Sequence, residues 1–479
     1  MQRRTFLSGT VLGAAFAALP ASALTATTAA AAAPKAPVTS VDALQKAIDQ
    51  AAPGDRIVVA DGTYTISGKS AIKVTGKNGT TSAPITIVAA SRGGVVLRGE
   101  RSFVFSKSTN IVISGFAFRQ SSTLEIPADC SRIRLTRNDF QFADITKLSW
   151  VLVRGDDVKI DRNRFHHKTT AGLFIVVDGP GADAMAQRLQ VVKNHFSDHS
   201  FTGDNGGESI RIGFSGRALS AAHATVEHNL FERCSGDPEA ISVKSSNNII
   251  RYNTIRDSRG GIVLRHGNGS TVEGNYLLGG REGLRVYGND HVLVNNYVSG
   301  LSGNALVIGS GSTRDHHEGE TEKQRRGNDA CDRAVIAHNT LVDNKKGALA
   351  GESRTYEPRN VVIADNLLVG KAGQLVAMDK TTGFTWRSNI LWGAASNGNI
   401  PTGGFTRVDP RLRRESDGVY RLSAGSPAIG AATLKSPVVT EDIDGHQRGS
   451  RRDIGADEYA TTAPVRRPLT KADVGPDAA

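Results

Sequence analysis

Between Asp237 and His266 the sequence sets two acids, a lysine and an arginine at related positions of two consecutive repeats. Asp237 and Glu239 precede the run Ile241-Ser242-Val243-Lys244, and Arg265-His266 follows Ile262-Val263-Leu264. If those runs are neighbouring strands with their apolar residues inward, Lys244 and Arg265 face outward about 4.8 Å apart at the backbone. Two cations that close repel each other unless an anion lies between them, so the pair predicts an anionic ligand. Asp237 and Glu239 fall at the bend before the Lys244 strand, and Asn205 falls at the matching bend one repeat earlier. Two carboxylates and an amide oxygen are hard ligands of the kind calcium takes, although the same acids would also suit a solvated loop.

Strand alternation extends this face. Ile210 and Ile212, Ile241 and Val243, Ile262 and Leu264, and Leu284 and Val286 fill two inward columns of four successive repeats. Gly213, Lys244, Arg265 and Tyr287 then share one outward column, and Arg211, Ser242, Val263 and Arg285 share the next. Arg211, His266, Arg285 and Tyr287 are therefore candidate substrate-binding residues, set against the plainer reading of a basic, solvated face.

What must position these residues is a repeat of an apolar strand, a turn, a second short strand and Asn-x-apolar. Its asparagines are Asn138, Asn163, Asn194, Asn229, Asn253, Asn275, Asn296, Asn339, Asn366 and Asn389, with Phe116 in the equivalent place one turn earlier. The core spacing of 21–25 residues with occasional insertions predicts an all-β fold, a right-handed parallel β-helix with one coil per repeat. Leucine-rich repeats are excluded by the missing Leu-x-x-Leu-x-Leu pattern. Ser40 to Ala51 reads as a short amphipathic helix capping the first coil. The long insertion 309–332 is rich in charge, including His316 and His317, and should leave the solenoid on one face as a wall or a solvated loop. Residues 34–460 read as a single solenoid domain and 461–479, polar and Pro-containing, as a disordered tail.

The net charge of +11 favours polyanionic partners, among which an acidic polysaccharide fits. The Lys and Arg residues are scattered and no nucleic-acid-binding signature is present, so nucleic acid is not expected as a partner. Residues 1–33 carry Arg3-Arg4 ahead of an Ala-rich apolar run with a small-x-small site at Ala21-Ser22-Ala23. That is the pattern of a twin-arginine-type export signal and predicts a secreted or periplasmic protein, with no later segment able to span a membrane. Cys130, Cys234 and Cys331 are far apart without metal-type spacing and read as buried small residues.

Five motifs in order, Asn-Gly-Gly-Glu-Ser-Ile-Arg-Ile-Gly (205–213), Val-Glu-His-Asn-Leu-Phe-Glu (226–232), Glu-Ala-Ile-Ser-Val-Lys-Ser (239–245), Leu-Arg-His-Gly (264–267) and Val-Glu-Gly-Asn-Tyr (272–276), resemble the core of polysaccharide lyase family 6. That family holds alginate lyases and the dermatan-cleaving chondroitinase B. The resemblance implies β-elimination on a uronic-acid polysaccharide, with Lys244 as catalytic base, Arg265 as catalytic acid, and Asn205, Asp237 and Glu239 as calcium ligands. Where the family usually shows Glu-x-Glu, this chain has Asp237-Pro238-Glu239, one methylene shorter at the first acid. Alginate is the expected substrate and dermatan sulfate the second. A glycoside hydrolase would need two carboxylates facing across the scissile bond, which this pattern lacks. An alginate epimerase would remove the same proton, and a glycan-binding stalk would need the repeats but not the Lys244 and Arg265 pair.

Overall fold

A computed structural model describes residues 36–434 and 439–479. The export-signal segment 1–33 lies outside these residues. Three long parallel sheets of 13, 14 and 11 strands wind the chain into a parallel β-helix, one strand of each sheet per coil. In one coil the chain runs from Thr225–Glu227 in the first sheet, round Asn229, into Leu230–Cys234 in the second and Glu239–Lys244 in the third. Helix Val41–Gln50 is capped by Ser40, whose Oγ accepts from Ala43 N at 3.1 Å. It packs Leu44 and Ile48 against the first strands, as the sequence predicts.

The ten repeat asparagines form a continuous buried ladder at the corner between the first and second sheets. Asn253 shows the pattern. Its Oδ1 accepts from the backbone N and the Nδ2 of Asn229, each at 3.0 Å. Its Nδ2 donates to Val226 O at 2.9 Å and to Asn275 Oδ1 at 3.0 Å. The ladder runs from Phe116 N, which donates to Asn138 Oδ1, to Asn389 at the far end. The corner forces the residue before each asparagine into left-handed backbone, with φ of 56° at Arg137, 53° at Arg162 and 55° at Tyr252. Just past the ladder, Phe118, Phe140, Phe165, Phe196 and Phe231 stack with centroids 4.8, 4.5, 5.1 and 4.7 Å apart. Cys130, Cys234 and Cys331 are free and buried.

Residues 461–479 are not a disordered tail. The C-terminal extension turns back outside the coils and meets their left-handed corners, from Asp365, which accepts from Thr433 N and Leu434 N, to Arg137, which donates to Pro476 O and Ala478 O. Gly475 N donates to Lys193 O at 2.8 Å, and Val474 and Ala478 are buried. Composition misreads this stretch because it has few apolar residues of its own. The polar groups of the coil corners order it. Among the described residues no helix is long and apolar enough to cross a membrane.

Removing one rung of the ladder should be costly, because the buried backbone N–H of Asn229 would lose its acceptor. Asn253→Ala should lower unfolding stability by about 2 kcal/mol, read by urea denaturation. A loss under about 1 kcal/mol would show that the ladder is not what holds the corner.

Candidate active site

The third sheet carries the constellation. Ile210, Ile241, Ile262 and Leu284 align across its strands, as do Ile212, Val243, Leu264 and Val286, so both inward columns stand as read from the sequence. The outward column Arg211, Ser242, Val263, Arg285 is also in register. The other column is not. The ladder shifts between Val243 and Lys244, and Lys244 pairs with His266 instead of Arg265. Alternation cannot foresee such a bulge, which inserts one residue and re-aims a side chain.

Cations and acids interleave around this bulge. Lys244 has a side chain only 15% exposed, with Nζ 3.9 Å from Glu208 Oε1. Burial lowers its pKa, Arg211 and Arg265 lower it further, and Glu208 and Glu239 pull the other way. Glu208 was passed over in the sequence, where it reads as one acid in a Gly-rich turn. It is almost fully buried and grips Arg211 through two hydrogen bonds of 2.8 Å, to Nε and Nη2. The signal available was its placement three residues before Arg211 at the strand entry. Glu239 accepts from Arg285 Nη2 at 3.2 Å and lies 3.9 Å from Arg265 Nε. Asp237 is buried, and desolvation reinforced by Glu208 and Glu239 pushes its pKa up to about 7.

Two expected sugar-binding residues do not face the groove. Tyr287 is wholly buried: its hydroxyl donates to Glu352 Oε1 and Oε2 at 2.8 and 2.9 Å, and the guanidiniums of Arg265 and Arg354 each lie 5.6 Å from its ring centre. His266 is also buried, 3.4 Å from Ser215 Oγ, with the His316 ring of the insertion 6.5 Å away. Burial, then Arg265 and Lys244, hold it neutral by lowering its pKa to about 3. Arg211 and Arg285 remain partly exposed on the outward face.

The insertion is a wall, not a free loop. Its short helix Glu322–Arg325 starts in a capping box at Thr321 and reaches back over several coils, where Arg325 donates to Gly216 O at 2.8 Å. On the other side, Arg259 holds the 201–207 loop through Gly203 O at 2.7 Å and pairs with Asp204. His316 is fixed inside the insertion by Glu320 and Gly327 O, at 2.8 and 2.9 Å.

The expected calcium residues sit in different surroundings. Asn205 is exposed on its loop while Asp237 and Glu239 are buried. Asp237 accepts from Glu239 N at 3.0 Å, and Glu239 is engaged by Arg285. Among the described residues no three His, Cys, Asp or Glu side chains converge as a metal cage. Arginines pair with Glu208 and Glu239, whereas Asp237 accepts from the backbone N–H groups of Gly207 and Glu239.

Between its ordinary 3.8 and about 7, folded Asp237 keeps a proton that the unfolded chain has lost, so stability falls as pH rises through that window. Asp237→Asn should melt several degrees above wild type at about pH 8 and converge with it near pH 4. Parallel melting curves across this range would contradict the assignment.

A family model described as Chondroitinase B matches residues 38–428. Among solved structures, the family 6 alginate lyase AlyGC is 25% identical with a TM-score of 0.70, covering 91% of this chain and 60% of that one, so the chain spans 60% of AlyGC's length. A mannuronic acid specific family 6 lyase from human gut microbiota is 25% identical with a TM-score of 0.67, covering 77% and 89%. The family 6 lyase Pedsa3628 from Pseudopedobacter saltans is 22% identical with a TM-score of 0.61, covering 92% and 99%, and bears on fold alone. No curated protein matches the sequence.

Proposed function

The chain belongs to the chondroitinase B family of polysaccharide lyases, and from that premise we propose that it is an exported lyase that cleaves alginate by β-elimination, with Lys244 as the base. The observation that carries the reading is a buried lysine whose proton affinity is lowered, beside Arg265, in a cation-lined groove. The alginate and mannuronate lyases that share a quarter of its residues favour alginate. Dermatan sulfate is the second reading, favoured by the family description.

In this reading neutral Lys244 removes the proton from the sugar carbon that bears the carboxylate. The electron pair left behind forms a double bond to the neighbouring carbon as that carbon's bond to the glycosidic oxygen breaks. Charge builds on the carboxylate in the transition state, so fixed positive charge beside it lowers the barrier. Arg211 and Arg285 supply that charge, each anchored from behind by a buried acid. Arg265 donates a hydrogen bond to the leaving oxygen. A guanidinium does not give up its proton outright, so the proton that completes the new hydroxyl comes from water. Calcium, which Asn205, Asp237 and Glu239 would hold, would supply that positive charge instead.

The test is growth of unsaturated-sugar absorbance on alginate, its mannuronate and guluronate blocks, and dermatan sulfate. Lys244→Ala should lower the rate about a thousandfold, in line with loss of a general base. The wild-type rate should rise with pH on a limb below lysine's ordinary 10.5, because the depressed pKa frees the base earlier. A chelator should leave the rate intact if the arginines neutralise the carboxylate, and loss of activity would move that role to calcium. A changed epimer ratio without cleavage would replace the lyase with an epimerase, and binding without either change would leave a glycan-binding solenoid.

A further inference from the structure

Tyr287 was expected to touch sugar, yet it is sealed under two guanidiniums. Its ring leaves the strand Leu284–Val286 and lies across the next coil at Gly309, where an added Cβ would sit 2.2 Å from Tyr287 Cδ1. Any larger residue there would displace the ring. Beyond Gly309 the hydroxyl docks on both oxygens of Glu352, one coil further on. Glu352 also lies 3.4 Å from Arg354 Nε, and the Arg354 side chain stays 40% exposed.

The buried ring thus has two guanidiniums packed near it, Arg265 and Arg354, each 5.6 Å from its centre. Arg265 is on the side where the lyase reading places the leaving oxygen. We propose that Arg354 is a further substrate-binding residue, contacting a uronate carboxylate one subsite beyond Arg265, and that Tyr287 and Glu352 are positioning residues that hold Arg265 and Arg354 in place. This rests on the lyase reading and extends it.

Three features support the assignment. Packing against an aromatic ring uses none of a guanidinium's N–H donors, so Arg354, 5.6 Å from the Tyr287 ring centre, can still present donors to a carboxylate. Glu352, its acidic neighbour, already accepts the Tyr287 hydroxyl and is mostly covered, which leaves the outward charge with the arginine. The coil between places the uncharged Val307 beside Arg285 and Gly309 beside Tyr287. From Arg211 to Glu352 the cationic run crosses six strands, about 24 Å at the ordinary spacing, long enough for several sugar units.

The experiment titrates oligouronates of increasing length onto wild type, Arg354→Ala, Arg354→Lys and Tyr287→Leu, and measures kcat and KM on the same series. Arg354→Ala should weaken binding of the longer oligomers about tenfold, a charge-assisted fork lost, with the effect in KM rather than kcat. Arg354→Lys should recover only part of this, since an ammonium cannot reproduce the planar fork. Tyr287→Leu should lower kcat as well as raise KM, because it frees Arg265 along with Arg354. Equal affinity of wild type and Arg354→Ala at every length would overturn the proposal, as would a uniform loss that tracks a lower Tm and is no better with lysine. Length-dependent binding that needs Arg354, without any unsaturated product from wild type, would sink the lyase reading and leave the subsite standing.

Discussion

The buried asparagine ladder fixes everything else in this molecule. A parallel coil stack has no turn chemistry linking one coil to the next in space, so registry must come from side chains that repeat at one place per coil. Each ladder asparagine accepts from the backbone of one neighbour and donates to the amide of the other, and a coil that slipped by one residue would lose both bonds. In a strand such a slip also exchanges the two faces. Lys244, Arg211 and Arg285 point out of the third sheet only because their coils are pinned at the opposite corner.

With registry set, the site is a problem in buried electrostatics. Glu208, Asp237 and Glu239 are withdrawn from water, and each neighbouring cation either pairs with one of them or is left to act on something else. Arg211 is clamped on Glu208 and Arg285 on Glu239, which orients both guanidiniums without removing their charge from the groove. Lys244 feels Glu208 at 3.9 Å and, further off, Glu239, but burial and the neighbouring arginines outweigh both acids and lower its proton affinity. Glu208 and Glu239 anchor arginines, and the shorter Asp237 is held instead by the backbone N–H groups of Gly207 and Glu239.

Much of this was legible in the sequence. The Asn-x-apolar recurrence pointed to the parallel β-helix, and alternation alone placed eight inward residues in the columns they occupy. The features that escaped share a cause: each depends on a neighbour remote in sequence. The break after Val243 belongs to the pairing of two strands, not to either one. Tyr287 is buried because a glycine one coil away makes room and a glutamate two coils away receives its hydroxyl. The segment 461–479 is ordered by corner residues hundreds of positions upstream, such as Arg137. Glu208 needed no remote partner, only attention to an acid three residues from Arg211 at a strand entry.

The central claim is that the fold lowers the proton affinity of Lys244 before any substrate arrives. The direct measurement is the reactivity of the Lys244 amine toward an amine-acylating reagent across pH, read residue by residue by mass spectrometry, in the folded and the denatured chain. The account predicts a titration midpoint below lysine's ordinary 10.5 in the folded protein, moving upward on denaturation and also in Arg211→Ala. A folded midpoint at or above 10.5 would mean that Glu208 and Glu239 outweigh burial and the arginines, and Lys244 would then be a binding cation rather than a base.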